Sequence, residues 1–184
     1  MPQGMILVLI GPPGAGKDSL TRILTEHTDF YKYPSGTTRA MRAGETPFHP
    51  YTFYSKEEYK ELRERGGLFN DVVLGPDNYF LQMEVFERAA AGEHIVLHLV
   101  YKTALEVKER FANTKLVLVL PPDEITQRIR LAERGDDAKT IQTRLASEEL
   151  QNPPGDGAYD LVIVNQTGRL QEAAEKLIEF VGPA

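Results

Sequence analysis

Three features of the sequence predict an α/β protein built on an open parallel sheet. Short continuous apolar runs recur at Met5–Ile10, Ile95–Val100, Lys115–Leu120 and Tyr159–Val164. Between them lie stretches with helical spacing, Lys102–Phe111, Asp123–Glu133 and Gly168–Val181. In the last of these, Leu170, Ala173, Ala174, Leu177 and Ile178 line one face. Unbroken Val, Ile and Leu runs that alternate with helices are the pattern of parallel strands covered on both sides. The third feature is the run Gly11-Pro12-Pro13-Gly14-Ala15-Gly16-Lys17-Asp18-Ser19, which follows the first apolar segment directly. A strand, a glycine-rich turn and a helix start in that order form a phosphate-binding loop, and ligands of such sheets sit beyond the strands' carboxyl ends.

The chemistry of that loop follows from its residue types. Glycines reach φ > 0 without a Cβ penalty, so the backbone can wrap an anion closely. Free N–H groups and the helix dipole then favour negative charge, and Lys17 adds a point charge for the β- and γ-phosphates. The residue after the lysine is usually Ser or Thr, whose hydroxyl binds Mg²⁺; here it is Asp18, followed by Ser19. Two readings of Asp18 stand: an acid that suits the first helical turn, or a carboxylate ligand to the metal.

From Ser35 to Ala91 the texture changes. Aromatic and polar residues mix at Tyr51-Thr52-Phe53-Tyr54, and turn residues are dense at Gly44–Pro50 and Gly75–Asn78. This predicts a small β-rich insertion with helices near Lys56–Arg65 and Met83–Ala91. Arg39 and Arg42 lie in its turn-rich segment Thr37–Glu45, with Tyr51 nearby. Arginine's planar fork suits bidentate phosphate binding, although a pair of loop arginines is often plain solvated surface. A further basic group, Arg128, Arg130, Arg134 and Arg144, flanks the break Gly135-Asp136-Asp137 before a helix over Ala138–Leu150. A hinged flap carrying arginines would cover phosphates and exclude water; the alternative is pairing of those arginines with Glu133, Asp136 and Asp137.

Composition narrows the classes. At 184 residues, 41% hydrophobic and 26% charged, the chain is one ordinary globular domain. A formal charge of −6 argues against a nucleic-acid partner. Without cysteine there are no disulfides, thiolate zinc sites or cysteine nucleophiles. No apolar run approaches 18 residues and no signal pattern opens the chain, so a cytoplasmic protein without membrane partners is expected.

The whole pattern resembles the guanylate kinases. The resemblance rests on Gly11–Ser19, Thr37–Glu45, Tyr51-Thr52-Phe53-Tyr54-Ser55, Pro121-Pro122, Arg134-Gly135 with Arg144 after it, and Val162-Ile163-Val164-Asn165. It implies a P-loop kinase with a parallel core (1–34 and 92–184), an acceptor-binding insertion (35–91) and a helical lid at about 132–150. It implies phosphoryl transfer from ATP, with Mg²⁺, to a nucleoside monophosphate, GMP or dGMP by default. By similarity, Gly11–Ser19 and Arg134 would bind ATP, and Lys17, Arg39, Arg130 and Arg144 would serve catalysis. Arg39, Arg42, Tyr51, Asn70 and Tyr79 would hold the acceptor, and Asp18 the metal. The positions matching the family's guanine readers are Gly36, Asn70, Leu81 and Val100, none with the family's serine or acid, so weak discrimination for GMP is expected. The form Gly-Lys-Asp-Ser, with His98 and Val100 where an acid is usual, is also similar to the ribose 1,5-bisphosphate phosphokinases. That substrate, another nucleotide, and a non-catalytic binding module are the alternatives.

Overall fold

The computed structural model describes residues 3–42, 44–47, 50–74, 76–146 and 158–182. Five strands form the core sheet: β1 (Ile6–Ile10), β2 (Tyr31–Lys32), β7 (Ile95–His98), β8 (Thr114–Leu120) and β9 (Leu161–Val164). Their order is β2-β7-β1-β8-β9, and every neighbouring pair is parallel. β1 lies at the centre with all five residues buried, which is why its sequence is an unbroken apolar run.

Successive side chains of β1 enter opposite layers. Ile6, Val8 and Ile10 pack with Ile95, Leu97 and the helix α4 (Tyr101–Arg110) through Ala104 and Val107. Leu7 and Leu9 pack against α1 (Lys17–His27) through Leu20 and Leu24, and against α7 (Leu170–Val181) through Ala174 and Leu177. The expected parallel sheet with helices on both faces is therefore the architecture found.

The insertion carries a second, mixed sheet in the order β4-β3-β6-β5, from β3 (Gly36–Thr37), β4 (Thr52–Phe53), β5 (Leu68–Leu74) and β6 (Asp77–Gln82). β3 pairs β4 in parallel, whereas β6 runs antiparallel to both β3 and β5. Its outer face is covered by α2 (Lys56–Glu64), whose start is fixed by a capping box between Ser55 and Glu58. Tyr59 and Leu62 of that helix pack on Phe80. Gly36 is required beneath the same ring: a Cβ there would lie 2.1 Å from Phe80. A short helix, α3 (Glu84–Ala90), returns the chain to the core.

Helices α5 (Glu124–Glu133) and α6 (Ala138–Ala146) follow β8. The end of the helix expected over 138–150, beyond Ala146, lies outside the described residues. β7 ends at His98, two residues short of the expected strand, because Val100 caps α4. β2 has no counterpart in the sequence reading; two residues are too few to form an apolar run.

Candidate active site

The loop between β1 and α1 is wedged against the carboxyl ends of β8 and β9. A Cβ on Gly11 (φ 144°) would lie 1.9 Å from the Val119 carbonyl oxygen, and one on Gly16 (φ 95°) would lie 2.1 Å from Asn165 Nδ2. Only glycine fits either position. Gly16 also caps α1 without any side-chain hydrogen bond, so the helix's first N–H groups have no side-chain cap. Lys17 spans the loop, its ammonium donating to the Gly11 carbonyl at 2.6 Å and the Pro12 carbonyl at 3.1 Å. Burial pushes the Lys17 ammonium down to about 8, with Arg134 and Lys32 adding to the effect against the opposing charge of Asp18.

Asp18 projects from the first turn of α1 and is paired with Lys32 of β2 at 2.8 Å. His98, at the end of β7, lies 3.6 Å from the same carboxylate and shares a 2.7 Å hydrogen bond with the Thr21 hydroxyl. Burial and the neighbouring Lys32 push His98 down to about 3, so its ring is neutral at ordinary pH. Desolvation opposes the charge on Asp18, but His98 and the ammoniums of Lys32 and Lys17 hold this carboxyl well below the usual range. The histidine is thus a satisfied strand-end residue, and Asp18 is an anion already facing a cation.

An open cleft of ≈ 400 Å³ lies over the loop, bordered by Gly14, Lys17, Asp18, Arg130, Arg134 and Asn165. Arg130 donates to the Asn165 carbonyl at 2.9 Å and reaches the Gly14 carbonyl at 3.4 Å. Arg134 and Arg144 both bond one oxygen of Asp136, at 2.6 and 3.0 Å. The pairing alternative is thus the arrangement found for Arg134 and Arg144, with a single carboxylate gathering both arginines. Arg128 differs: it bonds Glu124 on the exposed side of α5 and does not border the cleft. Asn165 enters the sequence reading only as the end of the run Val162–Asn165, with no role, and Gln127 does not enter it. Asn165, buried, donates to the Ala15 carbonyl, and Gln127, also buried, donates to the Pro13 carbonyl. Both brace the loop from behind.

The second half of the site lies on the insertion. Arg39 makes a two-bond fork to Glu45, at 2.8 and 3.0 Å, with its guanidinium over the rings of Tyr51 and Phe53. Tyr51 stands edge-on to Tyr79 at 5.5 Å. Burial, then Tyr79, raises the Tyr51 hydroxyl, against the opposing charge of Arg39. Arg42 is exposed and meets Glu45 through its backbone N–H. Of the four positions matched to guanine readers, three are structural: Gly36 lies under Phe80, Leu81 is buried in the core and Val100 caps α4. Only Asn70 presents a polar group, donating to Glu106 of α4 at 2.8 Å.

Comparison with known proteins agrees with this geometry. The sequence model of the family described as guanylate kinase matches residues 3–183. The chain belongs to the guanylate kinase family. It is 34% identical to a guanylate kinase of Gloeobacter violaceus, over 96% of this chain and 88% of that protein. It is 36% identical to one from Desulfitobacterium hafniense, over 89% of this chain and 82% of the relative. The crystal structure of guanylate kinase from Anaplasma phagocytophilum superposes with a TM-score of 0.71, covering 98% of this chain and 86% of that one. At 23% identity, that likeness speaks for the fold alone. Family membership makes the protein a phosphotransferase, a nucleoside monophosphate kinase with a P-loop, and sets aside the sugar-phosphate and binding-module alternatives. No helix among the described residues is long and apolar enough to cross a membrane.

Proposed function

We propose that this protein transfers the γ-phosphoryl group of ATP to the phosphate of GMP, yielding ADP and GDP. The Pγ–O bond to ADP breaks as an acceptor phosphate oxygen bonds to phosphorus, with no covalent enzyme intermediate. The observation that carries this reading is the P-loop cleft bordered by Lys17, Arg130 and Arg134, with the Arg39–Tyr51–Tyr79 cluster on the insertion as a second candidate phosphate grip. The names of the relatives supply the acceptor. Lys17 and Arg130 would neutralise the donor phosphates, Arg39, Arg42, Tyr51 and Tyr79 would grip the acceptor phosphate, and Arg144 would approach the transferring group. Gly135, at φ 92° between α5 and α6, is the hinge about which the lid at 132–150 would move, over the core of 1–34 and 92–184 and the insertion of 35–91.

Mg²⁺ fits the residues present. Asp18 is an ionised, exposed carboxylate already opposite one cation, Lys32. No cluster of three His, Cys, Asp or Glu side chains stands among the described residues. One carboxylate plus substrate phosphates and water is an ordinary magnesium environment, so the ion would arrive with ATP and be held by Asp18. Bound there, it would neutralise charge on the β- and γ-phosphates. Small nucleotides would be the partners, and the cytoplasm the place of action, in keeping with a cysteine-free chain of charge −6.

The test is phosphoryl transfer from ATP to GMP, dGMP, AMP, CMP, UMP, dTMP and ribose 1,5-bisphosphate under one condition. GMP should give the highest kcat/KM. Lys17→Ala should lower transfer by about 10²-fold or more while the fold persists. Near-normal turnover in that variant would remove the reading.

A further inference from the structure

The acceptor base needs a reader, and the geometry points to Glu106, positioned by Asn70, as the residue that determines specificity for guanine. The inference rests on GMP being the acceptor. Guanine presents two adjacent donors, N1–H and the 2-amino group, where adenine presents a bare ring nitrogen. A carboxylate is the side chain that accepts both, and reading donors with a charged acceptor gives strong discrimination.

The second sheet fixes where such a carboxylate must lie. Residues paired across a ladder share a face. Asn70 pairs with Leu81, and Tyr79 pairs with Thr37, so Asn70, Leu81, Tyr79 and Thr37 all share one face. That face looks toward the core, because Leu81 is buried in the cluster containing Ile6, Val8 and Ala104. Two residues along a strand and one strand across place Asn70 about 8 Å from Tyr79. A nucleotide whose phosphate is held at Arg39 and Tyr79 extends its base over that interval, toward Asn70.

At this end three groups of different chemistry meet. The ladder shifts register between Leu68 and Asn70, a bulge that sets Phe69 and Asn70 together against Leu81. Phe69 packs edge-on to Phe86, at 4.8 Å, and offers an aromatic wall. The Asn70 amide donates to Glu106 Oε2 at 2.8 Å, and no other donor among the described residues bonds that carboxylate. An open groove of ≈ 390 Å³ lies here, lined by Phe69, Glu106, Glu109 and Arg110. Of the other acids nearby, Asp71 receives Tyr59 and Asn78 on the opposite face and Glu84 receives the Tyr33 hydroxyl, while Glu109 lines the groove three residues further along α4 without the orienting amide that Asn70 gives Glu106. Glu106 therefore has an amide to orient it and an oxygen left to accept from a base.

The experiment measures kcat and KM for GMP, IMP and AMP with the full chain. IMP keeps N1–H and lacks the 2-amino group, so it isolates one of the two hydrogen bonds. Wild type should favour GMP over both. Glu106→Gln should raise KM for GMP about 10- to 100-fold and narrow the GMP/IMP ratio, with kcat and the ATP KM within about twofold. Asn70→Ala should raise KM for GMP less, since the carboxylate remains but loses its orienting amide. The double variant Asn70→Glu/Glu106→Gln exchanges the two groups and should restore the GMP preference, which a purely structural role would not predict. An unchanged KM and GMP/IMP ratio in Glu106→Gln, in an enzyme that prefers GMP, overturns this inference alone. A wild type that does not prefer GMP overturns it together with the proposed acceptor.

Discussion

Lys17 and Asp18 are neighbours in sequence with opposite demands on their surroundings. In its proposed role Lys17 would have to stay charged to meet phosphates, yet its burial draws the ammonium down to about 8. The sign follows directly: below pH 8 the protonated form predominates, and above it the free enzyme loses the charge that ATP needs. We expect kcat/KM for ATP to fall as pH rises through about 8, because that parameter reports free-enzyme ionisations. A profile flat from about pH 7 to 9.5 would show that Lys17 keeps its proton. Asp18 is held ionised beside Lys32, so no pH change near neutrality should reach it. Its role is separable by metal dependence. Asp18→Ala should raise the Mg²⁺ concentration for half-maximal activity about tenfold and leave metal-free ATP binding intact or tighter, while Asp18→Ser restores part of the loss through a hydroxyl ligand. Titrating bound ATP with Mg²⁺, followed by calorimetry, checks the binding half without turnover. An alanine variant with unaltered Mg²⁺ response would leave Asp18 only its favourable place at the start of a helix.

Between α5 and α6 a single acid organises two basic groups of the proposed lid. Asp136 is largely shielded and bonds both Arg134 and Arg144, whereas Arg128, earlier on α5, is tied to Glu124 in solvent. Arg134 and Arg144 keep 49% and 26% of their side-chain surface in solvent, so these pairs contribute modest stability, and on the proposed reading the value of Asp136 lies in presenting two guanidinium groups together. Asp136→Asn should therefore lower kcat about 10- to 100-fold, move the thermal midpoint little and leave KM for GMP nearly constant. A fall confined to stability would make the pair merely structural. How far such elements can be read from the chain depends on how local their signals are. The P-loop is legible because the contiguous run Gly11–Lys17 carries it, and the core strands because burial on both faces leaves a continuous apolar run. β2 is not, since Tyr31–Lys32 has no periodicity, and with it the approach of Lys32 to Asp18 is hidden. The roles of Asn165, Gln127 and Glu106 are invisible for another reason: each meets a partner from a distant segment, and only the fold brings them together. Gly36 and Leu81 match base-reading positions by spacing, but strand alternation and packing turn them to other tasks.

At the scale of the molecule, the question is whether the insertion and the core behave as one body. The outer face of the insertion has a small cluster of its own, Tyr59, Leu62 and Phe80, too slight to stand alone. Its inner face has none: Leu81 of β6 is 2% exposed and packs within the main cluster of the core sheet, beside Val85 and Phe86 of α3. Phe69 is packed against the same cluster. The proposed acceptor side is thus anchored through apolar contacts shared with the core that carries the P-loop, and losing one should loosen both. Leu81→Ala leaves a cavity at a fully buried site and should cost about 2–5 kcal/mol of unfolding free energy. Unfolding in urea can be followed by two signals, because the chain has no tryptophan and tyrosine dominates its fluorescence. Tyr51, Tyr54, Tyr59 and Tyr79 lie on the insertion and Tyr31, Tyr33, Tyr101 and Tyr159 on the core, so tyrosine emission samples both, while far-UV circular dichroism is weighted toward the helices that flank the core. In wild type and in Leu81→Ala the two transitions should coincide, with the variant's midpoint lower and its slope unchanged, as one cooperative unit requires. A tyrosine transition that precedes the loss of helix would instead make the insertion a separately folding body, and the acceptor grip would then be free to open without disturbing the P-loop.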